Sequence, residues 1–436
     1  MDKVMRRRDF LSAFGAMAFA GVTNGKGHHN ARAKSVIYLF MEGGPSQVDT
    51  FDPKPILKQR AGEPLPFKNP ATVFNSSNKL MPSPFEFAQY GESGSSVSSI
   101  FPHVASCVDD LTFIHSMHHN NSNHSEGCLL SHTGASVAGF PSMGSWITYG
   151  LGSSSQNLPG YVVLDCGQTP SAGAHCYSNG FLPAPHAGTP FRTGDNPVEF
   201  LTSSDPLQGQ KLEAIRTLYR DAKLPGVLSN YEKAARMQTA VPELMDLSEE
   251  TEQTKRLYGM EDPRCSLFGS RCLIARRLVE RGVRFIELFS PRVKADRWDQ
   301  HGGLKQGHTN NSVAVDQPIA GLIKDLKQRG LLDETIVLWG GEFGRTPSSQ
   351  GSNGRDHNPH GYTVFLAGGG FKPGVHHGAT DEFGYYAQQD KVHIHDLHAT
   401  ILHQLGIDHE RLTYRFGGRD YRLTDVHGNV VKAVLS

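Results

Sequence analysis

Two of the chain's 22 histidines, His28 and His29, fall within the first 33 residues. The others gather in clusters rather than spreading evenly. His115, His118, His119 and His124 share one short stretch. His301 and His308 flank Gly302-Gly303, His357 and His360 sit in Arg355-Asp356-His357-Asn358-Pro359-His360, and His393, His395 and His398 come near the end. Imidazole is the commonest side-chain ligand of zinc, and carboxylates complete such sites. A lone histidine is more often a packing or surface residue, but several His/Asp/Glu groups are harder to explain that way. In Trp298-Asp299-Gln300-His301, Asp299 and His301 are placed to face a metal, with His308 as a possible third ligand. The bland alternative is a solvated loop in which Asp299 caps a turn. Glu342 sits in Gly340-Gly341-Glu342-Phe343-Gly344-Arg345, where glycines let a ligand approach the backbone. Arg345 offers the planar donors that match phosphate or sulfate oxygens; a structural Glu–Arg pair is the alternative. Ser125, within His124-Ser125-Glu126, stands where a helix begins, so backbone N–H groups and the helix dipole favour an anion there. A neighbouring metal could make its hydroxyl a nucleophile. An ordinary N-cap would look the same.

The elements that must position these groups are strand ends. Short apolar runs at 35–41, 111–117, 160–165, 283–289, 335–340 and 362–367 read as strands, several of them continuously apolar. Helices are expected at 101–109, from about Ser125, at 311–330 and at 396–406, with a helical block over 206–282 punctuated by Pro225, Pro242 and Pro263. Residues 52–100 read as a long surface loop, and 167–200 as turn-rich. Alternating strands and helices imply an α/β fold with a mainly parallel central sheet and helices on both faces. Ligands of such sheets bind beyond the carboxyl ends of the strands. Glu42, the 115–126 loop, the 296–308 stretch and Glu342 each directly follow a strand.

The 436-residue chain carries 43 basic and 43 acidic residues. Its first 33 residues hold six Lys or Arg and two Asp, which leaves 37 basic against 41 acidic, a net of −4. A mildly acidic body without a basic run argues against a nucleic acid partner. Arg6-Arg7-Arg8-Asp9-Phe10-Leu11, a short Gly/Ala-rich apolar run and Ala31-Arg32-Ala33 read as a leader cleaved before Lys34. Arg7-Arg8-x-Phe10-Leu11 resembles a twin-arginine export signal, so a periplasmic or secreted protein is expected. The apolar run is too short to span a membrane comfortably, so no stable span is expected after cleavage. Residues 34–436 are then expected to form one domain. Six cysteines in an oxidising compartment permit up to three disulfides, with pairing open. There is no C-x-x-C, no Walker sequence and no Gly-x-Ser-x-Gly elbow.

Four stretches carry a family resemblance. They are Phe40-Met41-Glu42-Gly43-Gly44-Pro45-Ser46 running to Asp52-Pro53-Lys54, Trp298-Asp299-Gln300-His301-Gly302, Glu342-Phe343-Gly344-Arg345-Thr346-Pro347, and the tail from Gly418 to Gly428. From about Ser35 to Leu435 the chain resembles domain-of-unknown-function family 1501, grouped with the alkaline phosphatase and sulfatase superfamily. The resemblance implies an alkaline phosphatase-like fold with a helical insertion, a metal ligand after the first strand at Glu42, and a nucleophile at a helix N-terminus at Ser125. Where that superfamily carries Asp-His or Asp-Asn, this chain has Glu342-Phe343; Phe343 cannot ligate, so a second metal position looks incomplete. No Cys-x-Pro-x-Arg motif occurs, which argues against formylglycine sulfatase chemistry. The expectation is a divalent-metal-dependent hydrolase (zinc, calcium or manganese) of phosphate or sulfate esters on a small molecule or glycan. Glu42, Asp299, His301, Glu342, His357 and His360 would be the metal ligands, and Ser125 and Arg345 the catalytic residues. A non-catalytic binding or envelope protein on the same scaffold is the alternative. Oligomeric state is open.

Overall fold

The computed structural model describes residues 27–67, 78–167, 169–192, 197–199, 225–293 and 297–436, with isolated positions between 210 and 217. Most of the expected leader lies outside these residues. Of its last part, His28, Arg32 and Ala33 donate backbone N–H groups to Gly406 and Gln404 carbonyls.

Strand β1 (Ser35–Phe40) is buried along its whole length. Ile37 and Leu39 point into one hydrophobic core and Val36, Tyr38 and Phe40 into another, so the sheet is covered on both sides. The first core is closed by helices Ser266–Glu280 and Leu304–Gln328, the second by His124–Thr133, Met143–Leu151 and Ile394–Gln404. A hairpin of β2 (Phe87–Tyr90) and β3 (Ser95–Ser98) stands apart. The main sheet continues with β4 (Leu111–His118), β5 (Tyr161–Leu164), β6 (Thr189–Phe191), β7 (Phe285–Phe289) and β8 (Thr335–Gly340). After a second hairpin, β9 (Gly344–Gln350) with β10 (Gly354–Asn358), come β11 (Tyr362–Ala367) and β12 (Val375–His377). Strand order is β12-β4-β11-β8-β1-β7-β5-β6.

The pairings β1–β7, β1–β8, β5–β7, β5–β6 and β12–β4 are parallel; β11 alone on this path runs against its neighbours β4 and β8. The expected α/β fold with a mainly parallel sheet and helices on both faces is therefore present. The reversal of β11 matters for the site: its amino end lies at the edge where the parallel strands have their carboxyl ends. Residues preceding β11, His357 among them, thereby join residues following β1, β4, β7 and β8.

Some local expectations are corrected. The 52–100 region holds a short helix, Pro55–Gln59, and the β2–β3 hairpin rather than loop alone. The 101–109 helix shrinks to Pro102–Ala105 and a 3-10 turn at Val108–Asp110. Asp316 accepts the N–H groups of His103 and Val104 at 2.8 Å each, satisfying the start of that short helix from outside it. In the helical block, Pro225–Met245 continues through Pro242, so that proline does not divide the block as expected. Helices Glu252–Leu257 and Ser266–Glu280 follow; most of 206–224 lies outside the described residues. All six cysteines are buried free thiols in this structure.

Candidate metal centre

Asp299 is the hub of the site. Its Oδ1 lies 2.9 Å from His301 Nε2, 3.2 Å from His357 Nε2 and 2.6 Å from Arg345 Nη2; its Oδ2 lies 3.2 Å from His124 Nε2. One ligand atom from each of His124, Asp299, His301 and His357 falls within 4.8 Å of the other three.

Each histidine is aimed by an acceptor behind it. His124 Nδ1 is 2.5 Å from Glu342 Oε1, His357 Nδ1 is 2.5 Å from the Ser122 carbonyl, and His301 Nδ1 contacts Gln350 Oε1. Carboxylate, carbonyl and amide oxygens can only accept, so all three rings donate from Nδ1 and turn Nε2 toward Asp299. Nε2 lone pairs crowding a carboxylate repel unless a proton or a cation lies between them. His124 Nε2 is buried without a geometrically acceptable hydrogen bond, although Asp299 is close. Three imidazole nitrogens and one carboxylate oxygen, each imidazole backed by an acceptor, form a donor set that fits a divalent transition metal.

Electrostatics agree with the geometry. Burial works against a charge on His124, but the carboxylates of Asp299 and Glu342 on either side of the ring raise its pKa to about 9. Burial also opposes ionisation of Asp299, yet the three imidazoles facing it and the charge of Arg345 hold its carboxyl far below the usual range.

The strand ends explain the placement. His124 opens helix His124–Thr133 beyond β4, with Asn123 as N-cap accepting from Ser125 N–H at 3.0 Å. Glu342 follows β8 and is fully buried. Both its oxygens take the Gly43 N–H, at 2.9 and 3.1 Å. Gly43 has φ +108°, and a Cβ there would lie 2.7 Å from the backbone nitrogens of Trp298 and Asp299, so this turn demands glycine. Phe343 packs its ring against His357 (4.6 Å between centroids) and His124 (5.0 Å), forming a wall in place of a ligand.

The expected site residues divide accordingly. Asp299, His301 and His357 come together. Glu342 is outside the four-residue group and orients His124. Glu42 turns away to an ion pair with Arg297 and hydrogen bonds from the Ser171 N–H and hydroxyl. His360 lies against Tyr385 and Tyr386 instead. His308 accepts the Ser46 N–H at 3.0 Å, and burial lowers its pKa to about 3, in keeping with a neutral acceptor. Arg345 is fully buried: beyond Asp299 it bonds the carbonyls of Gly43, Gly44 and Arg355. Its donors bind the protein itself, so the anion-clamp expectation gives way to a bracket joining the Gly43-Gly44 turn, the Asp299 loop and strand β10. Ser125 is half-buried beside His124, and its hydroxyl donates to the Ser171 carbonyl at 3.2 Å. Sequence reasoning left out His124, which the structure brings into the group, and Gln350, which His301 Nδ1 contacts. The signal for His124 was present, a histidine one residue before the helix-start serine.

The chain matches the family described as "Protein of unknown function (DUF1501)" over residues 33–435. It belongs to that family. No curated protein matches the sequence. Among solved structures, a protein in the alkaline phosphatase superfamily from Vibrio parahaemolyticus is 12% identical, covering 93% of this chain and 76% of that one, with a TM-score of 0.36. Phosphonate monoester hydrolase from Silicibacter pomeroyi is 10% identical over 70% of this chain and 68% of that one (TM-score 0.36). Alkaline phosphatase from the Antarctic bacterium TAB5 is 10% identical over 78% of this chain and 92% of that one (TM-score 0.34). Overlaps this loose carry no argument about activity. Among the described residues, no helix is long and apolar enough to cross a membrane.

Proposed function

We propose that this protein is a metal-dependent hydrolase of phosphate or sulfate esters, exported through the twin-arginine route on the strength of Arg7-Arg8-x-Phe10-Leu11. The observation that carries the metal reading is the convergence of three Nε2 atoms on Asp299, each with its Nδ1 held by an oxygen acceptor. A donor set of three imidazoles and one carboxylate favours zinc over calcium, which takes oxygen ligands. A cation bound there supplies Lewis-acid polarisation of an ester oxygen.

The protein's own groups do the rest. Asp299 and the three histidines bind the cation. Glu342, Gln350 and the Ser122 carbonyl fix the ring orientations. Ser125, one residue past His124 in the first helical turn, is the candidate nucleophile or substrate contact, where backbone N–H groups face an anion. The substrate class is a small-molecule or glycan ester. The test is a screen of zinc-loaded protein against phosphate and sulfate monoesters, with Ser125→Ala alongside. Turnover that Ser125→Ala removes while zinc content stays the same supports the reading; no turnover of either ester class by fully loaded protein refutes it.

Phe343 favours one competing account. By occupying the place beside Glu342 with a ring, it leaves one metal position, and a single-cation site suits ligand capture without turnover as well as hydrolysis.

A further inference from the structure

Strand β7 carries a carboxylate in the middle of an apolar run, Phe285-Ile286-Glu287-Leu288-Phe289. Glu287 is fully buried, in register with Tyr38 of β1 and Val163 of β5, on the face that packs the second core. Its Oε1 lies 2.6 Å from His132 Nε2, and its Oε2 accepts the Tyr161 hydroxyl. His132 is itself only 2% exposed and donates from Nδ1 to the Cys128 carbonyl at 2.6 Å. With Nδ1 donating to a carbonyl and Nε2 against a carboxylate, the ring is an imidazolium paired with Glu287. The pairing is an ion contact, and neither His132 Nε2 nor Glu287 Oε1 makes a hydrogen bond. Burial disfavours the charge on His132, but Cys176 and Glu287 beside it raise its pKa well above the usual value. Phe40 and Phe289 enclose the ring, with centroids 4.4 and 5.7 Å away.

A buried ion pair in an aromatic core is a poor way to gain stability. Desolvating two charges costs several kcal/mol each, and an apolar pair of the same volume is often as stable or more so. What such a pair does provide is a fixed relative position. The segments joined here are the ones that carry the site. His132 lies two turns along the helix that begins with His124 and Ser125. Glu287 is on the strand whose continuation reaches Asp299. Cys176, beside His132, is five residues beyond Ser171, which holds Glu42 and accepts from Ser125.

We propose that the His132–Glu287 ion pair, completed by Tyr161, is a positioning device that sets the helix of His124 and Ser125 against the strand leading to Asp299. It acts through those residues and touches neither metal nor substrate. The inference rests on the metal-centre reading given under Proposed function.

The test is zinc titration of the metal-free full-length protein by calorimetry, with circular dichroism to check the fold. Glu287→Gln keeps the shape and removes the charge. It is expected to keep the zinc stoichiometry and raise the zinc Kd by up to about tenfold, the low end of what losing a partner bonded directly to a ligand does, because Glu287 acts at one remove through His132. An unchanged Kd alongside a lowered Tm would reduce the pair to a structural role and overturn the inference. If Glu287→Gln does not fold, Tyr161→Phe, which removes a single neutral hydrogen bond, decides. A Kd raised about threefold supports the device, and an unchanged one overturns it. Failure of the wild-type protein to bind zinc at all would overturn the metal centre itself, a result distinct from both.

Discussion

The imidazole of His124 bridges two carboxylates, with Nδ1 2.5 Å from Glu342 Oε1 and Nε2 3.2 Å from Asp299 Oδ2. One of these carboxylates is fully buried behind the ring and the other lies in front of it at the centre of the cluster. A metal-free ring in that position carries two protons; a metal-bound ring keeps only the one facing Glu342. Zinc binding near neutral pH is therefore expected to release about one proton from His124. Calorimetry in buffers of different ionisation enthalpy measures this number, and a value near zero would contradict the protonated bridge.

Glu342 reaches the cluster through His124. Glu342→Gln keeps a side chain that can accept from the ring but loses the charge. It is expected to weaken zinc binding by about 10- to 100-fold without changing stoichiometry. An equal Kd in the variant would show that His124 needs no anionic partner.

How much of this was legible in the sequence differs from residue to residue. Continuous apolar runs such as Ser35–Phe40 and Thr335–Gly340 announced buried parallel strands, and polar groups directly after them announced a site at their carboxyl ends. Asp299 and His301 were singled out this way and His357 from its histidine cluster, and the structure brings the three together. Glu42 was misplaced because its backbone position is right while its side chain turns to Arg297, and the partner of a carboxylate is a tertiary fact. His360 was misplaced for a related reason. His357 ends inside β10, whereas His360 lies in the following turn, three residues on, where its ring packs on Tyr385 and Tyr386. The reversal of β11 had no signal in its sequence, since Tyr362–Ala367 is as apolar as its parallel neighbours.

Arg345 presents the sharpest contrast between sequence and structure. A guanidinium next to Glu342 looked like an anion clamp; buried, it brackets the carbonyls of Gly43, Gly44 and Arg355. Arg345→Ala is expected to destabilise the fold by roughly 2–3 kcal/mol. This is below the full value for breaking a buried charge pair, because its partner Asp299 is 35% exposed. Urea denaturation of the two proteins measures it. A variant with full stability and selectively lost ester binding would restore the clamp.

Acid is expected to unfold this protein through histidines remote from the site. Burial lowers the pKa of His398 to about 3 and that of His115 to about 4. Both stay neutral in the folded state, while the unfolded chain takes up protons below about pH 6.5. Their contribution is complete above that pH and is lost as pH falls from about 6.5 toward 4, by up to about 1.4 kcal/mol per unit for each histidine. Urea midpoints at pH 7.5 and 5.0 check the sign. His398→Gln should lessen the difference, and a midpoint independent of pH would refute the account.

His124, Asp299, His301 and His357 are expected to hold one divalent metal ion between them. Elemental analysis of the purified, folded protein beside its His357→Ala variant tests it most directly. The expected result is about one zinc per chain in the wild type after reconstitution, with most of it lost in the variant. Wild-type protein that remains free of metal, or a variant that binds as much as the wild type, would contradict the claim.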